Sequence, residues 1–92
     1  MSNELKNLRK GIDKADKEIV KNLAKRFSLT EKVGQYKKRN NLKPFDKKRE
    51  EEIFKKKITL ANKYNLDKDL IKKIFFLIMK AVKRRHKKIS KK

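Results

Sequence analysis

The chain has 92 residues, with 31 Lys and Arg against 11 Asp and Glu, one His and no Cys. It is long enough for one domain, and a lone domain near this size buries only ~60% of the surface its unfolded chain exposes. The composition excludes a disulfide scaffold, a thiolate site and a histidine-based metal cluster, so oligomerisation is the expected source of added stability.

A net charge of +20 attracts anions, whether nucleic acid, acidic lipid or a small polyanionic substrate. Lys far outnumbers Arg, and a drift toward Lys and Asn on solvated faces raises the isoelectric point without specifying any partner. The opening MSNELKNLRK contains no apolar targeting segment, and no run approaches the length of a membrane span. The cytoplasm is therefore the expected compartment, with no membrane partner.

Glycine and proline occur only at Gly11, Gly34 and Pro44. With so few breakers and no alternating apolar pattern, the chain reads as all-α, three helices in a single domain over residues 1–92. The first helix is expected over about 4–39, where Leu5, Leu8, Ile12, Ala15, Ile19, Leu23, Thr30 and Val33 recur at steps of three and four. At 1.5 Å per residue it would be roughly 50 Å long, too long for a compact monomer of this size. Pairing along its length with a second copy is the economical solution.

The segment NNLKPFD breaks the pattern, because Pro44 forces the residue before it out of helical geometry, and Asp46 suits the N-cap position. A second helix follows over about 47–64, with Ile53, Phe54, Ile58 and Ala61 inward. NLD is the next break, with Asp67 as cap. A third helix is expected over about 68–88, on a stripe of Ile71, Ile74, Phe75, Ile78 and Val82. The run HKKISKK reads as a frayed, solvated end, with residues 89–92 a basic tail.

The first helix carries cations on its apolar seam. With Ile19 at zero and 100° per residue, Arg26 lies at about −20° and Lys37 at about 0°, while Arg9 sits at the margin near ~80°. A buried cation must be paired or bind an anion. One reading has Arg26 and Lys37 snorkel outward or pair with inward acids such as Asp16 or Glu50. The other takes them as a pocket: they recur about three turns apart on one face, and the second helix offers Glu50 on the side leading to Phe54 and Ile58. Fixed cations with one acid suit a ligand bearing carboxylates and a hydroxyl.

At these residues the chain resembles the all-helical class of chorismate mutases. The resemblance rests on LRKGIDKAD (8–16), LAKRFSLTEKVGQYK (23–37), PFDKKRE (44–50) and NLDKDLIKKIFFLIM (65–79), and it extends from about Leu5 to His86. Its most specific part is the ordered series Leu-Arg-x-x-Ile-Asp, Leu-Ala-x-Arg, Lys and Asp-x-x-Arg-Glu. It implies an intertwined homodimeric bundle of three-helix chains that converts chorismate to prephenate, a [3,3] rearrangement in aromatic amino acid biosynthesis. No cofactor or metal is implied.

By position, Arg9 matches an arginine supplied across the dimer interface and Arg26 a second carboxylate-binding arginine. Lys37 matches the lysine that contacts the ether oxygen and a carboxylate. Asp46 and Glu50 match residues near the substrate hydroxyl, and Arg49 a supporting arginine beside the pocket. The third helix departs from the family pattern. Val82 stands where Ser is common and cannot donate a hydrogen bond to a carboxylate, which implies weaker substrate binding. His86 stands where Gln or Glu is common; it is either a partly exposed residue near a fraying end or a donor to the ether oxygen. Imidazole titrates near ~6.5 when unperturbed, and Arg84 and Arg85 beside it are expected to oppose charging. If His86 donates, activity is expected to rise on mild acidification. A flat pH–rate profile between about pH 5 and 8, with unchanged kinetics in His86→Ala, removes it from the mechanism.

Two other functions compete. The charge alone suits a helical nucleic-acid-binding protein, but the lysines are spread around all three helices and there is no aromatic platform or DNA-binding helix-turn-helix, so no specific nucleic-acid partner is expected. An isochorismate pyruvate-lyase on the same fold would use much the same cations. Glu50 argues for the mutase, since the lyase, by the same resemblance, lacks a carboxylate there. A member that folds but works poorly is also compatible with Val82 and His86.

Overall fold

A computed structural model describes residues 2–91. Three α-helices make up the described chain: α1 (Ser2–Arg39), α2 (Lys47–Lys63) and α3 (Lys68–Lys91). Among the described residues there is no strand.

The two breaks share one chemistry. At the end of α1, Leu42 N–H donates to the Lys37 carbonyl at 2.7 Å and Asn41 N–H to the Lys38 carbonyl at 3.2 Å. At the end of α2, Leu66 donates to Ala61 at 2.8 Å and Asn65 to Asn62 at 3.3 Å. Asn41 and Asn65 hold the left-handed conformation that each turn demands, with φ of 54° and 56°. This is the Schellman termination, with Asn in the place usually taken by Gly and a leucine after it. The aspartates then restart the helices. Asp46 accepts the Arg49 N–H at 3.1 Å and Asp67 the Asp69 N–H at 2.8 Å, each satisfying a donor of the first turn.

The chain divides at Thr30/Glu31 into two compact units. In the first, the apolar stripe of α1 lies open: Leu5, Leu8, Ile12 and Ile19 are all more than half exposed. In the second, the short connection at 64–67 brings α3 back against α2. Ile53 and Ala61 of α2 and Ile78, Met79 and Ile89 of α3 are buried. Phe54, Ile58, Ile71, Phe75 and Val82 are half-buried at its edges, whereas Ile74, expected inward, remains exposed.

Two expectations are corrected here. Residues 86–91 are no frayed tail, because α3 continues to Lys91, with Ile89 only 3% exposed, while Lys92 lies outside the described residues. Burial of one branched side chain there offsets the cost of ordering an otherwise cationic turn. The inward position of α1 near its end is also Gly34 rather than Val33, which is exposed. A β-carbon at Gly34 would lie 2.8 Å from both the His86 ring and the Ile89 methyl terminus. The missing side chain is what lets α1 approach α3 so closely.

An ion pair fastens the same junction. Arg85 grips Glu31 in a fork, with Nη2–Oε1 at 2.6 Å and Nε–Oε2 at 2.9 Å. The hydrogen bond from Arg85 holds the Glu31 carboxyl below its ordinary value of 4.5, against a smaller opposing effect of desolvation. A carboxyl depressed on folding stabilises the fold above its unfolded pKa and loses that contribution as pH falls through the folded one. Wild type is therefore expected to melt at a higher temperature than Glu31→Gln near neutral pH. The two melting curves should converge as pH falls below about 4, a crossover that circular dichroism melts across pH will read.

Candidate active site

The second unit brings several of the sequence-derived residues onto neighbouring elements. Lys37 lies in the last turn of α1 and is half-buried. Its Nζ donates to the Pro44 carbonyl at 3.4 Å, a long contact across the turn that follows. Its own carbonyl is held by the Schellman bond from Leu42, so the backbone of this residue is fixed.

Glu50 stands in the first turn of α2, set there by the Asp46 cap. Its Oε2 lies 3.5 Å from Nζ of Lys83 on α3. That ammonium also sits over the Phe45 ring, 4.1 Å from its centroid, within cation–π range. Val82 adjoins Lys83 and is half-buried. One turn further along α3, His86 is buried, 6% exposed, with its ring against Gly34. The reading of His86 as a partly exposed residue on a fraying end is thereby overturned. Arg85 is engaged by Glu31, and that carboxylate is close enough to interact electrostatically with His86.

The remaining residues are placed less closely. Asp46 is exposed and spends one oxygen on capping α2. Arg49 points to solvent, its guanidinium 3.9 Å from Glu52 with both side chains about half exposed. Arg9 lies exposed on α1 and Arg26 half-buried further along it, both in the first unit.

Sequence reasoning missed Lys83, Gly34 and the Glu31–Arg85 pair. A lysine in a chain this rich in lysine carries no signal. Only its neighbours, Glu50 and Phe45, give it one.

Chemically, the second unit offers a half-buried ammonium, a carboxylate held beside another ammonium and a buried imidazole. Among the described residues, no group of three or more His, Cys, Asp or Glu side chains is arranged to hold a metal ion. No helix among them is long and apolar enough to cross a membrane.

Comparison with known proteins matches the sequence of this chain to one family. The profile described as chorismate mutase type II covers residues 8–87. Over 91 residues, 99% of this chain, it is 40% identical to a bifunctional chorismate mutase/prephenate dehydratase of Buchnera aphidicola subsp. Acyrthosiphon pisum (strain APS). Over 57 residues, 62% of the chain, it is 44% identical to a bifunctional chorismate mutase/prephenate dehydratase of Aquifex aeolicus (strain VF5). The chain spans 24% and 16% of the lengths of these two relatives. Neither the nucleic-acid reading nor the lyase reading finds support in these matches. With a profile match over most of its length and an all-helical fold to go with it, the chain belongs to the type II chorismate mutase family.

Proposed function

We propose that this chain catalyses the [3,3] rearrangement of chorismate to prephenate, as a homodimer in the cytoplasm and with no cofactor. The observation that carries the reading is the family match over residues 8–87, a span that includes Arg9, Arg26, Lys37, Asp46, Arg49, Glu50, Val82 and His86.

The chemistry follows from the substrate. Chorismate is flexible and dianionic, and the reaction needs its two reacting carbons brought together. Arg26, with Arg9 from a second copy, holds the carboxylates in the compact conformer. Such positioning supplies up to ~7–11 kcal/mol in favourable intramolecular cases. As the C–O bond breaks, negative charge gathers on the ether oxygen. Lys37 meets that charge, stabilising the transition state more than the ground state. At 3.4 Å its contact with the Pro44 carbonyl is long enough to be exchanged for substrate at small cost.

Glu50 accepts from the substrate hydroxyl, with Asp46 and Arg49 at the margin. His86 donates to the ether oxygen from the α3 side, and Val82 contributes shape without a hydrogen bond. The homodimer is supported by the open stripe of α1, where Leu5, Leu8, Ile12 and Ile19 are too exposed for a chain acting alone.

A continuous assay of chorismate consumption, with the product identified as prephenate, tests the reading. Release of pyruvate from isochorismate in preference to turnover of chorismate would replace it with the lyase.

A further inference from the structure

Beyond the residues assigned so far, we propose that Lys83 is a positioning residue for this site: it neutralises Glu50 and pins the Pro44–Phe45 turn against which Lys37 rests. The inference rests on the reading of Glu50 and Lys37 as substrate-binding groups.

Glu50 poses a problem in a pocket meant for a dianion. Its carboxylate suits a hydroxyl donor but repels both carboxylates of the substrate. The repulsion is worth more in a partly buried site than in water. The Lys83 ammonium, 3.5 Å from Glu50 Oε2, offsets that charge. The side chains are 39% and 27% exposed, so neither is fully screened by solvent.

The second contact gives the lysine its fixed direction. Its Nζ lies 4.1 Å from the centroid of the Phe45 ring. Phe45 sits between Pro44, whose carbonyl accepts from Lys37, and Asp46, whose carboxylate caps α2. One ammonium on α3 therefore touches the carboxylate at the start of α2 and the turn leading into it. Both supports of the site are held by a group that itself needs no contact with substrate. Lys83 also directly follows Val82, the position that lacks a hydrogen-bond donor, so the cation stands beside that position and about one turn before His86.

The effect belongs mainly in substrate binding. Lys83→Met keeps the aliphatic stem and removes the charge. Michaelis constants and turnover numbers are to be measured for wild type, Lys83→Met, Lys83→Arg, Glu50→Gln and Lys83→Met/Glu50→Gln, each checked by thermal melting. The expectation is a KM for chorismate raised about tenfold in Lys83→Met with a smaller change in kcat, since one charge–charge interaction of this kind carries about that factor. Lys83→Arg should restore KM to within about threefold, because it keeps both the charge and the stacking on Phe45. In the Glu50→Gln background, the loss from Lys83→Met should shrink to about twofold or less.

Phe45→Leu, which removes the ring and leaves every charge, should raise KM less than Lys83→Met does. It also keeps the question open to test should Lys83→Met fold poorly. Wild-type turnover with Lys83→Met kinetics unchanged overturns the role of Lys83 alone, as does full additivity with Glu50→Gln. Absence of chorismate turnover in wild type removes the mutase reading, and this inference with it.

Discussion

Lys37→Ala is expected to lower kcat by at least ~10²-fold, the loss seen when one donor to a developing oxyanion is removed. The size follows from where the charge appears. In the ground state the ether oxygen is neutral and binds a cation weakly. In the transition state it carries much of the electron density of the breaking bond. A cation present there contributes to the difference between the two states, and so to kcat rather than to affinity alone. The substitution is also clean in structural terms. The turn after α1 is held through backbone groups, with the Lys37 carbonyl accepting from Leu42 and the Lys38 carbonyl from Asn41. Truncating the side chain leaves those bonds intact and removes only the long contact to Pro44. Helix content and melting temperature should therefore stay close to wild type, and steady-state kinetics will isolate the loss of the ammonium. Near-normal turnover in this variant would sink the assignment of Lys37.

The fold was legible because its signals are local. Steps of three and four between apolar residues mark each helix, and Asp46 and Asp67 announce where two of them begin. The helix ends were legible in principle as well: the Asn-Leu pairs at 41–42 and 65–66 are the residues that a Schellman turn with Asn in the left-handed position requires.

What escaped the sequence depends on distance in three dimensions. Val33 and Gly34 differ by one step on the helix, and a valine is the better inward guess by hydrophobicity. Gly34 faces α3 because only a missing side chain admits the His86 ring so closely. The end of α3 was misread for a related reason. Six of the residues in HKKISKK are polar, and the seventh, Ile89, finds a buried seat that its neighbours in sequence do not disclose. The partner of Arg85 was hidden in the same way: its guanidinium is committed to Glu31, more than fifty positions away in the chain. The candidate site shows the same division. Lys37 and Glu50 stand out by their pattern, whereas Lys83 acquires meaning only from the carboxylate and the ring beside it.

Arg9→Ala is expected to lower kcat/KM by roughly 10- to 100-fold, since a charge-assisted contact to a carboxylate contributes ~1.5–3 kcal/mol. Its more informative use is in mixture with Lys37→Ala. Arg9 lies at the margin of the exposed stripe of α1 that carries Leu5, Leu8 and Ile12, the surface a second copy would cover. If Arg9 serves the partner's site, a dimer of one Arg9→Ala chain and one Lys37→Ala chain holds one site with both lesions and one with neither. Unfolding the two variants together and refolding them at equal concentration makes half of the dimers mixed. About a quarter of wild-type activity should then return, from two nearly inactive proteins. The same sample should sediment as a dimer. If Arg9 instead served its own chain, every site would carry one lesion whatever its partner, and mixing would restore nothing. Because each single variant is expected to lose at least about nine-tenths of its activity, the recovery distinguishes an arginine given across the interface from one that acts at home.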